Sequence, residues 1–353
     1  MRKEPKFSAE IKFVALSSFC LACLIIYFNL FSPLSYNDTW KEIRIPQGST
    51  YTQGLGILKE QGLIKNELVF LVLGKITKTE TRLRAGFYNL NTSMSPWKIF
   101  NRLRKGMIVE YLITIPEGST LDDIRAKLQK KGLVDDTSWQ LVKDKDFLAE
   151  LGIEAPSLEG YLYPDTYNFA KGADPEDIFR MMVHRLRDNF DAQLKSRAEE
   201  LGMSEKEVLT LASIIENEAL YNRERPIISA VYHNRLKKKM RLQADPTVVY
   251  GIKRMQEGIT RTDLKRPTPY NTYVIKGLPP GPISSPGIRS IRAALYPADV
   301  DYIFFVSKND GTHFFSKTGE EHLKAVMLYQ RNGNNKKDQT SDNSKKVIES
   351  LGH

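Results

Sequence analysis

Glu216 is a carboxylate on the apolar side of a predicted helix. The stretch from Ser204 to Leu220 begins with Ser204 and Glu207 in the spacing of a capping box, and its apolar residues then recur with helical periodicity. Glu216 falls inside the apolar arc, and Glu218 falls at its edge. An ionised glutamate is almost never buried alone, so we expect Glu216 either to be paired or to stay protonated. A carboxylic acid that is protonated near neutral pH can cleave a glycosidic bond by donating its proton.

A purely structural interpretation of Glu216 stays open, because a glutamate beside an apolar face is often an ion-paired surface residue. Four downstream segments favour chemistry: a predicted helix at 225–241, the run at 241–251, the run at 269–273, and a proline- and glycine-rich loop at 277–287. Such a loop suits the wall of a cleft, and the Tyr, Asn, Thr and Gln side chains of these segments suit a sugar polymer. Asp245 and Pro246 by themselves predict a turn and helix cap rather than a base.

The N-terminal segment 13–34 has 22 consecutive residues without a charge. A helix of this length spans ~30 Å of hydrocarbon. Basic residues outnumber acidic ones in 1–12, which predicts a cytoplasmic N-terminus and an exported remainder. A cleaved signal peptide is the alternative, but no A-x-A site follows the segment. Both cysteines, Cys20 and Cys23, lie in this segment, so the exported part is expected to have no disulfide.

The composition limits the possible partners. A chain of 353 residues allows two or three domains, and its net charge of +10 favours an anionic partner or surface. We find no zinc knuckle, basic zipper or ribonucleoprotein motif, so the charge does not argue for nucleic acid. The five histidines lack the spacing of metal ligands, and the sequence predicts neither a metal nor a cofactor.

A repeat organises the chain after the apolar segment. The sequence I-P-Q-G-S-T at 45–50 recurs as I-P-E-G-S-T at 115–120, and in both copies a short β run, a turn and a capped helix follow one another. We expect a small α+β module at 41–108, then a catalytic region at 109–330 that includes the second repeat unit (109–170) and a core (204–330). Residues 331–353 are polar and predict a disordered tail.

The predicted fold class is α+β. A long amphipathic helix is expected at about 175–202, and two strands, 300–306 and 312–316, are expected to form a hairpin around the turn at 308–311. The hairpin argues against an all-helical catalytic domain.

Several motifs together resemble the MltG/YceG-like endolytic murein transglycosylases. They are A-S-I-I-E (212–216), R-L-Q-A-D-P-T-V-V-Y-G (241–251), Y-N-T-Y (270–273), G-L-P-P-G-P-I (277–283) and E-G-Y-L-Y-P-D-T-Y (159–167). The resemblance covers nearly the whole chain. It implies one membrane anchor, a LysM-like module at 41–108 and a mixed α/β catalytic domain.

The resemblance also implies roles for individual residues. Glu216 would be the catalytic acid and base. The residues that would line the glycan cleft are Glu218, Gln243, Asp245, Asn271 and Tyr273. Asn217 departs from the lysine of some members, but it is predicted to point away from the apolar face, and we do not expect it to alter the chemistry.

The implied reaction is non-hydrolytic cleavage of the β-1,4 bond between N-acetylmuramic acid and N-acetylglucosamine, which leaves a 1,6-anhydro end. Peptidoglycan strands and the cytoplasmic membrane are then the partners, and a peptidoglycan polymerase whose strands the enzyme terminates is compatible with the anchor. Two alternatives remain open. One is a muramidase that uses Asp245 as its second carboxylate, and the other is a non-catalytic scaffold that binds the cell wall.

Overall fold

The computed structural model describes residues 9–81, 83–252 and 259–331 of the chain. Helices and strands are mixed along it, in agreement with the predicted class. The α-helices are α1 (Ala9–Phe31), α2 (Tyr51–Glu60), α3 (Glu67–Thr77), α4 (Pro96–Arg104), α5 (Leu121–Lys130), α6 (Lys145–Glu150), α7 (Pro175–Asn189), α8 (Ala192–Glu200), α9 (Glu205–Glu218), α10 (Arg225–Lys237), α11 (Asp245–Val249), α12 (Ile288–Leu295) and α13 (Gly319–Val326). The strands are β1 (Trp40–Ile45), β2 (Gly86–Asn91), β3 (Glu110–Thr114), β4 (Thr166–Ala170), β5 (Phe304–Ser307) and β6 (His313–Ser316).

Both ends of the chain extend beyond these ranges. The predicted disordered tail lies outside the described residues, apart from the end of a π-helical turn at Met327–Arg331. The first eight residues of the predicted cytoplasmic segment also lie outside them.

α1 contains the segment Ile11–Phe31, whose mean hydropathy is 2.2. Within the described ranges it is the one helix that is long and apolar enough to cross a membrane. Cys20 and Cys23 are free thiols on its exposed surface. The predicted span at 13–34 thus overlaps a helix of membrane-spanning length, which ends three residues earlier, at Phe31.

The chain divides into two compact units. The first comprises the described residues through Leu112 together with Asn168–Ala173. The second comprises Ile113–Tyr167 and the described residues from Asp174 onward. β3 pairs with β4 in a two-stranded sheet, and the boundary between the units falls within these two strands.

The first unit is built on an antiparallel pair of strands. β1 pairs with β2 in a register that joins Trp40 to Asn91 and Ile45 to Gly86. The inward side chains of both strands pack with α2, α3 and α4 around a small apolar core. Its most completely buried members are Leu55, Leu58, Phe70, Tyr88, Leu90, Ile99, Phe100 and Leu103.

The second unit is built around α9. All residues from Val208 to Ile215 are buried, and the helix packs against α8, α10, α11 and α12. A helix that is buried over most of its surface is held in one rotation about its axis. The side chains that follow Ile215 on the last turn therefore have fixed positions.

The repeat is confirmed as a strand-turn-helix unit. β1 leads into α2 and β3 leads into α5, and each helix starts with a complete capping box, formed by Thr50 with Gln53 and by Thr120 with Asp123. The turn glycines of the two copies, Gly48 and Gly118, share a φ of +78°, which residues with a side chain rarely adopt.

The long helix predicted at 175–202 is wrong. α7 ends at Asn189 because Phe190 turns into the core, where it is almost completely buried. Asp191 then caps α8, since its side chain accepts the N–H of Leu194 at 3.0 Å. Because amphipathic periodicity continues across the break between the two helices, the sequence pattern does not reveal the break.

The predicted hairpin is confirmed, with a shorter first strand. β5 and β6 pair antiparallel from Phe304↔Ser316 to Ser307↔His313. Pairing does not extend back to 300 because the amide of Asn234 donates to the carbonyls of Val300 (2.8 Å) and Tyr302 (3.0 Å). At these residues the Asn234 side chain thus takes the place of hydrogen bonds to a neighbouring strand.

Candidate active site

The predicted helix around Glu216 is confirmed, from its first residue to its last turn. Ser204 and Glu207 form the capping box, and the helix runs to Glu218. The Glu216 side chain is only 6% exposed. Since a carboxylate with so little solvent needs partners inside the protein, its contacts decide what it can do.

Glu216 is paired. Its Oε1 accepts a hydrogen bond from Nη2 of Arg225 at 2.8 Å, and its Oε2 accepts the backbone N–H of Gly287 at 2.9 Å. Arg225 is itself 8% exposed, and it also donates to the carbonyl of Ala219 and to Oδ1 of Asn222. Of the two states expected for Glu216, the structure shows the ion pair.

Glu117 is a second carboxylate at this place. A Cβ on Gly287 would overlap the carboxyl group of Glu117, so both glutamates lie against the same glycine. Burial, followed by the negative charge of Glu117, raises the pKa of Tyr163. Glu117 was missed in the sequence analysis. A comparison of the two repeat copies could have pointed to Glu117, because the first copy has Gln47 at the equivalent position.

The proline- and glycine-rich loop at 277–287 is fixed to its surroundings by backbone bonds. The N–H of Gly118 donates to the carbonyl of Ser285, and the N–H of Ser285 donates to the carbonyl of Ser119, each at 2.8 Å. Gly160, at φ +81°, packs so closely on Pro282 that a Cβ would overlap the proline ring. These contacts agree with a rigid wall that holds the N–H of Gly287.

Asn217 is exposed, as its position off the apolar face predicts. Its Nδ2 donates to the carbonyl of Ser213 (2.8 Å) and to Oγ of Ser284 (2.7 Å). A methyl group on Gly118 would lie 3.8 Å from Cγ of Glu216 and 3.9 Å from Oδ1 of Asn217. The end of α9 and the second repeat turn therefore meet at these side chains.

A cavity of about 970 Å³ opens beside this meeting point. Both Gly118 and Asn217 line it, and Glu216 is next to these two residues but is not itself among the lining residues. Its other polar and aromatic lining residues include Asp122, Arg125, Trp139, Glu159 and Tyr250. Indole and phenol rings next to carboxylate and guanidinium groups can bind the apolar face and the hydroxyls of a sugar.

Glu159 is the buried acid of this cavity. It accepts the N–H of Leu121 (3.1 Å) and the hydroxyl of Tyr250 (3.1 Å). Burial raises the pKa of Glu159 to about 7, although both of these hydrogen bonds act to lower it. The role of Glu159 was missed in the sequence analysis, even though the residue opens the aromatic-rich segment at 159–167.

Three of the predicted cleft residues, Glu218, Asp245 and Tyr273, are joined by hydrogen bonds, because the backbone N–H of Asp245 donates to Glu218. The hydroxyl of Tyr273 donates to Oδ1 of Asp245 at 2.6 Å, and the hydroxyl of Tyr232 donates to Oε1 of Glu218 at 3.0 Å. Burial and the neighbouring charge of Asp245 raise the pKa of Glu218 to about 7. Asp245 is not the predicted cap: it is the first residue of α11, and no side chain caps that helix.

The other two predicted cleft residues shape the backbone. The Nδ2 of Asn271 donates to the carbonyls of 263, 264 and 266, and its Oδ1 accepts the N–H of Tyr273. Gln243 adopts φ +49°, and its N–H donates to the carbonyl of Thr272. Within the described part of the chain, none of the five predicted cleft residues is among those that line the cavity.

In the ranges that the structure describes, no group of three or more His, Cys, Asp or Glu side chains is placed to hold a metal ion.

Comparisons with known proteins agree with the motifs. Residues 43–327 match the YceG-like family. A Bacillus subtilis protein named endolytic murein transglycosylase is 35% identical over 334 residues, which cover 87% of this chain and 90% of that protein. A Streptococcus pneumoniae protein of the same name is 29% identical over 320 residues, or 80% of this chain and 57% of that protein.

A solved structure is similar as well. It is a 2.6 Å crystal structure of a putative YceG-like protein from Listeria monocytogenes, with a TM-score of 0.56 and 36% sequence identity. The match covers 82% of this chain and 100% of that one.

Proposed function

The chain belongs to the YceG-like family, and on that premise we propose that it is an endolytic murein transglycosylase. It cleaves the β-1,4 bond between N-acetylmuramic acid and N-acetylglucosamine inside nascent peptidoglycan strands, and it leaves a 1,6-anhydro end. The observation that carries the proposal is the position of Glu216, a nearly buried carboxylate next to Gly118 and Asn217, which line a cavity of about 970 Å³.

Glu216 acts first as an acid and then as a base. Its proton passes to O4 of the leaving N-acetylglucosamine while the bond from C1 of N-acetylmuramic acid to O4 breaks, and that oxygen keeps the electron pair. The C6 hydroxyl of the same N-acetylmuramic acid attacks C1, and its proton returns to Glu216. One carboxylate is enough because the nucleophile belongs to the substrate and is already in place.

Glu216 is ion-paired with Arg225 in the structure. Before the first step its carboxylate must therefore leave Arg225 and take up a proton from solvent, so that it reaches the glycosidic oxygen as an acid. Arg225 has two further acceptors, the carbonyl of Ala219 and Oδ1 of Asn222. The guanidinium therefore stays in place when Glu216 turns from it toward the glycosidic oxygen.

The predicted cleft residues support the site in two ways. Glu218, Asp245 and Tyr273 form a hydrogen-bonding network that begins two residues after Glu216, and we assign to it the contacts with sugars beyond the cleaved bond. Gln243 and Asn271 affect glycan binding indirectly, because each of them fixes the conformation of the backbone around it. Trp139 and Tyr250 provide rings in the cavity for sugar packing.

Glu117 favours one alternative, a muramidase. A hydrolase needs a second carboxylate to activate water, and Glu117 lies on the glycine that binds Glu216. In such a hydrolase, Glu117→Gln would reduce the cleavage rate as strongly as Glu216→Gln. In the transglycosylase, Glu216 itself deprotonates the nucleophile, so Glu117→Gln reduces the rate by about tenfold at most.

The rest of the chain fits the same function. α1 anchors the protein in the cytoplasmic membrane, and the residues after it lie on the outer face, where nascent strands are made. Residues 41–108 form a LysM-like module that binds the wall, and residues 109–330 form the catalytic domain. The anchor places the enzyme near peptidoglycan polymerases, whose strands it terminates.

Two variants on one helix test the proposal. The full-length protein in detergent is incubated with uncrosslinked glycan strands, and strand shortening is followed by chromatography. Glu216→Gln is expected to reduce the rate at least ~10²-fold, because an amide cannot donate the proton. Glu205→Gln, on the first turn of α9, is the matched control and should keep the parental rate. No cleavage by either the parent or Glu216→Gln, on folded samples, would favour a non-catalytic scaffold, and equal measurable rates would exclude Glu216 as the acid.

A further inference from the structure

α3 is apolar on the side that faces solvent. Leu68, Val72 and Ile76 are 68%, 57% and 75% exposed, and their spacing of four residues places them on one face. We call these three side chains the α3 stripe. A surface helix normally presents polar groups to water, and a helix that is apolar all round normally has a second apolar neighbour.

The stripe cannot turn into the core. On the opposite face, Phe70 is 1% exposed and its carbonyl accepts the hydroxyl of Tyr51 at 2.9 Å. Gly74 lies so close to the Tyr51 ring that a Cβ would come within 2.6 Å of it. The rotation of α3 about its axis is therefore fixed, with the stripe outward.

A chain of aromatic contacts links the inner face of α3 to the end of α1. Phe31 contacts Trp97, Trp97 contacts Phe100, and Phe100 contacts Phe70, with ring centroids 6.5, 5.9 and 6.3 Å apart. Eight residues separate Phe31 from β1. α3 thus lies at the end of the first unit from which the apolar helix emerges.

The charges beside the stripe are mostly positive. Lys65 precedes α3, Lys75 lies on its last turn and Lys78 follows it. In the part of the chain that the structure describes, none of the three has a carboxylate partner, whereas Glu67 of the same helix is paired with Lys59. Lysines around an apolar face are typical of helices that lie on anionic lipid.

The second repeat copy shows that the repeat does not require this stripe. At the same offset of 70 residues, the positions of Leu68, Val72 and Ile76 are occupied by Ser138, Val142 and Asp146. Val142 is buried there, and Asp146 is exposed and charged. The apolar surface is thus a property of the first unit alone.

We propose that the α3 stripe lies on the surface of an anionic lipid bilayer. The proposal rests on α1 being the membrane anchor and does not depend on the catalytic activity. The bilayer covers Leu68, Val72 and Ile76, and the three lysines contact its phosphate groups. The first unit would then be held against the membrane at two places, the end of α1 and α3.

The test uses the full-length chain with Cys20→Ser and Cys23→Ser, reconstituted into vesicles of phosphatidylcholine and phosphatidylglycerol. A fluorescent label is attached to Ile76→Cys or, as the repeat-matched control, to Asp146→Cys. Lipids brominated near the headgroup should quench the label at 76 about twofold or more over the label at 146. Vesicles of phosphatidylcholine alone should reduce that difference.

Equal quenching of both labels in the anionic vesicles would overturn the proposal. So would protection of the label at 76 from a water-soluble quencher that persists in detergent and grows with protein concentration, because a second copy would then cover the stripe. The rate of glycan-strand cleavage, measured on the same samples, shows whether the catalytic unit is intact. This measurement does not depend on the fluorescence of the labels.

Discussion

At the residue scale, Arg225 holds Glu216 in a nearly buried ion pair. Both side chains of the pair are nearly buried, and the second carboxylate oxygen of Glu216 accepts a hydrogen bond from the N–H of Gly287. Buried ion pairs are costly to break from one side, because the remaining charge has lost its partner. The ion pair therefore couples folding to the position of Glu216, the proposed catalytic group.

Removal of the Arg225 guanidinium measures this coupling. Arg225→Met is expected to lower the free energy of unfolding by about 3 kcal/mol, because Glu216 would be left as an unpaired buried carboxylate. In the Glu216→Gln background the same substitution should cost less, since an amide carries no charge. Urea denaturation of the four proteins of this cycle gives the coupling free energy. Equal costs in both backgrounds would show that the pair does not stabilise the fold.

The raised pKa of Glu159 predicts a pH-dependent stability. Burial raises its pKa in the folded state to about 7 from an ordinary value of 4.5, so between these values the folded protein binds more protons than the unfolded chain. Stability is therefore expected to fall as the pH rises from about 4.5 to 7, by up to about 3 kcal/mol. Glu218, whose pKa is also raised to about 7, contributes in the same direction.

Glu159→Gln should remove its share of this slope. The amide keeps an acceptor for the N–H of Leu121 or the hydroxyl of Tyr250 but does not ionise. Urea denaturation at several pH values between 5 and 8 compares the variant with the parent. A variant whose stability changes with pH as steeply as that of the parent would contradict the assignment.

Residue-level prediction from the sequence was partial for a physical reason. Glu216 and its capping box could be predicted because both depend on spacing within one helix. Arg225, Gly287 and Tyr250 approach their carboxylates from other elements, and a single sequence does not show such contacts. Glu117 is intermediate: it was missed, although a comparison with Gln47 of the first repeat copy could have singled it out, and that comparison would not have revealed its contact with Gly287.

At the element scale, the loop at 277–287 holds the N–H of Gly287 because it packs on Gly160. Both Gly160 and Gly277 adopt φ +81°, but a Cβ on Gly160 would overlap Pro282, whereas a Cβ on Gly277 has no atom within 4 Å. Substitutions at the two glycines therefore separate the free-energy cost of the positive φ from the free-energy cost of the close approach to Pro282.

Alanine at each glycine tests this separation. Gly277→Ala is expected to cost about 1 kcal/mol, from the positive φ alone. Gly160→Ala adds the overlap with Pro282, of about 1–3 kcal/mol, and should also slow strand cleavage because the loop moves. Thermal unfolding and cleavage rates are measured on both variants. Indistinguishable variants would mean that the loop is not positioned by this contact.

Elements with strong local signals could be predicted, and those set by tertiary contacts could not. The hairpin, α9 and the two capped repeat helices have turn and capping residues that can be read in the sequence. The break between α7 and α8 depends on the burial of Phe190, which amphipathic periodicity does not indicate. The role of Asp245 likewise depends on Tyr273, which lies 28 residues later.

At the scale of the whole molecule, the sequence predicts an apolar N-terminal segment followed by folded α+β units, and the structure agrees with this class. The order of strand, turn and helix in each repeat could be read from the sequence because it is local. The return of Asn168–Ala173 to the first unit could not, since the strand pairing that underlies it joins distant parts of the chain. The cavity beside Glu216 likewise draws its lining from six separate stretches of the second unit, at 118–125, 139–143, 157–159, 217, 246–252 and 283.

The central claim is that this protein cleaves glycan strands without water, using one carboxylate. Mass spectrometry of the products that the full-length protein forms from uncrosslinked strands, with Glu216→Gln in parallel, tests it most directly. The expected result is fragments with 1,6-anhydro-N-acetylmuramic acid ends that are absent with the variant. Reducing N-acetylmuramic acid ends, which carry one more water, would contradict the claim and identify a hydrolase.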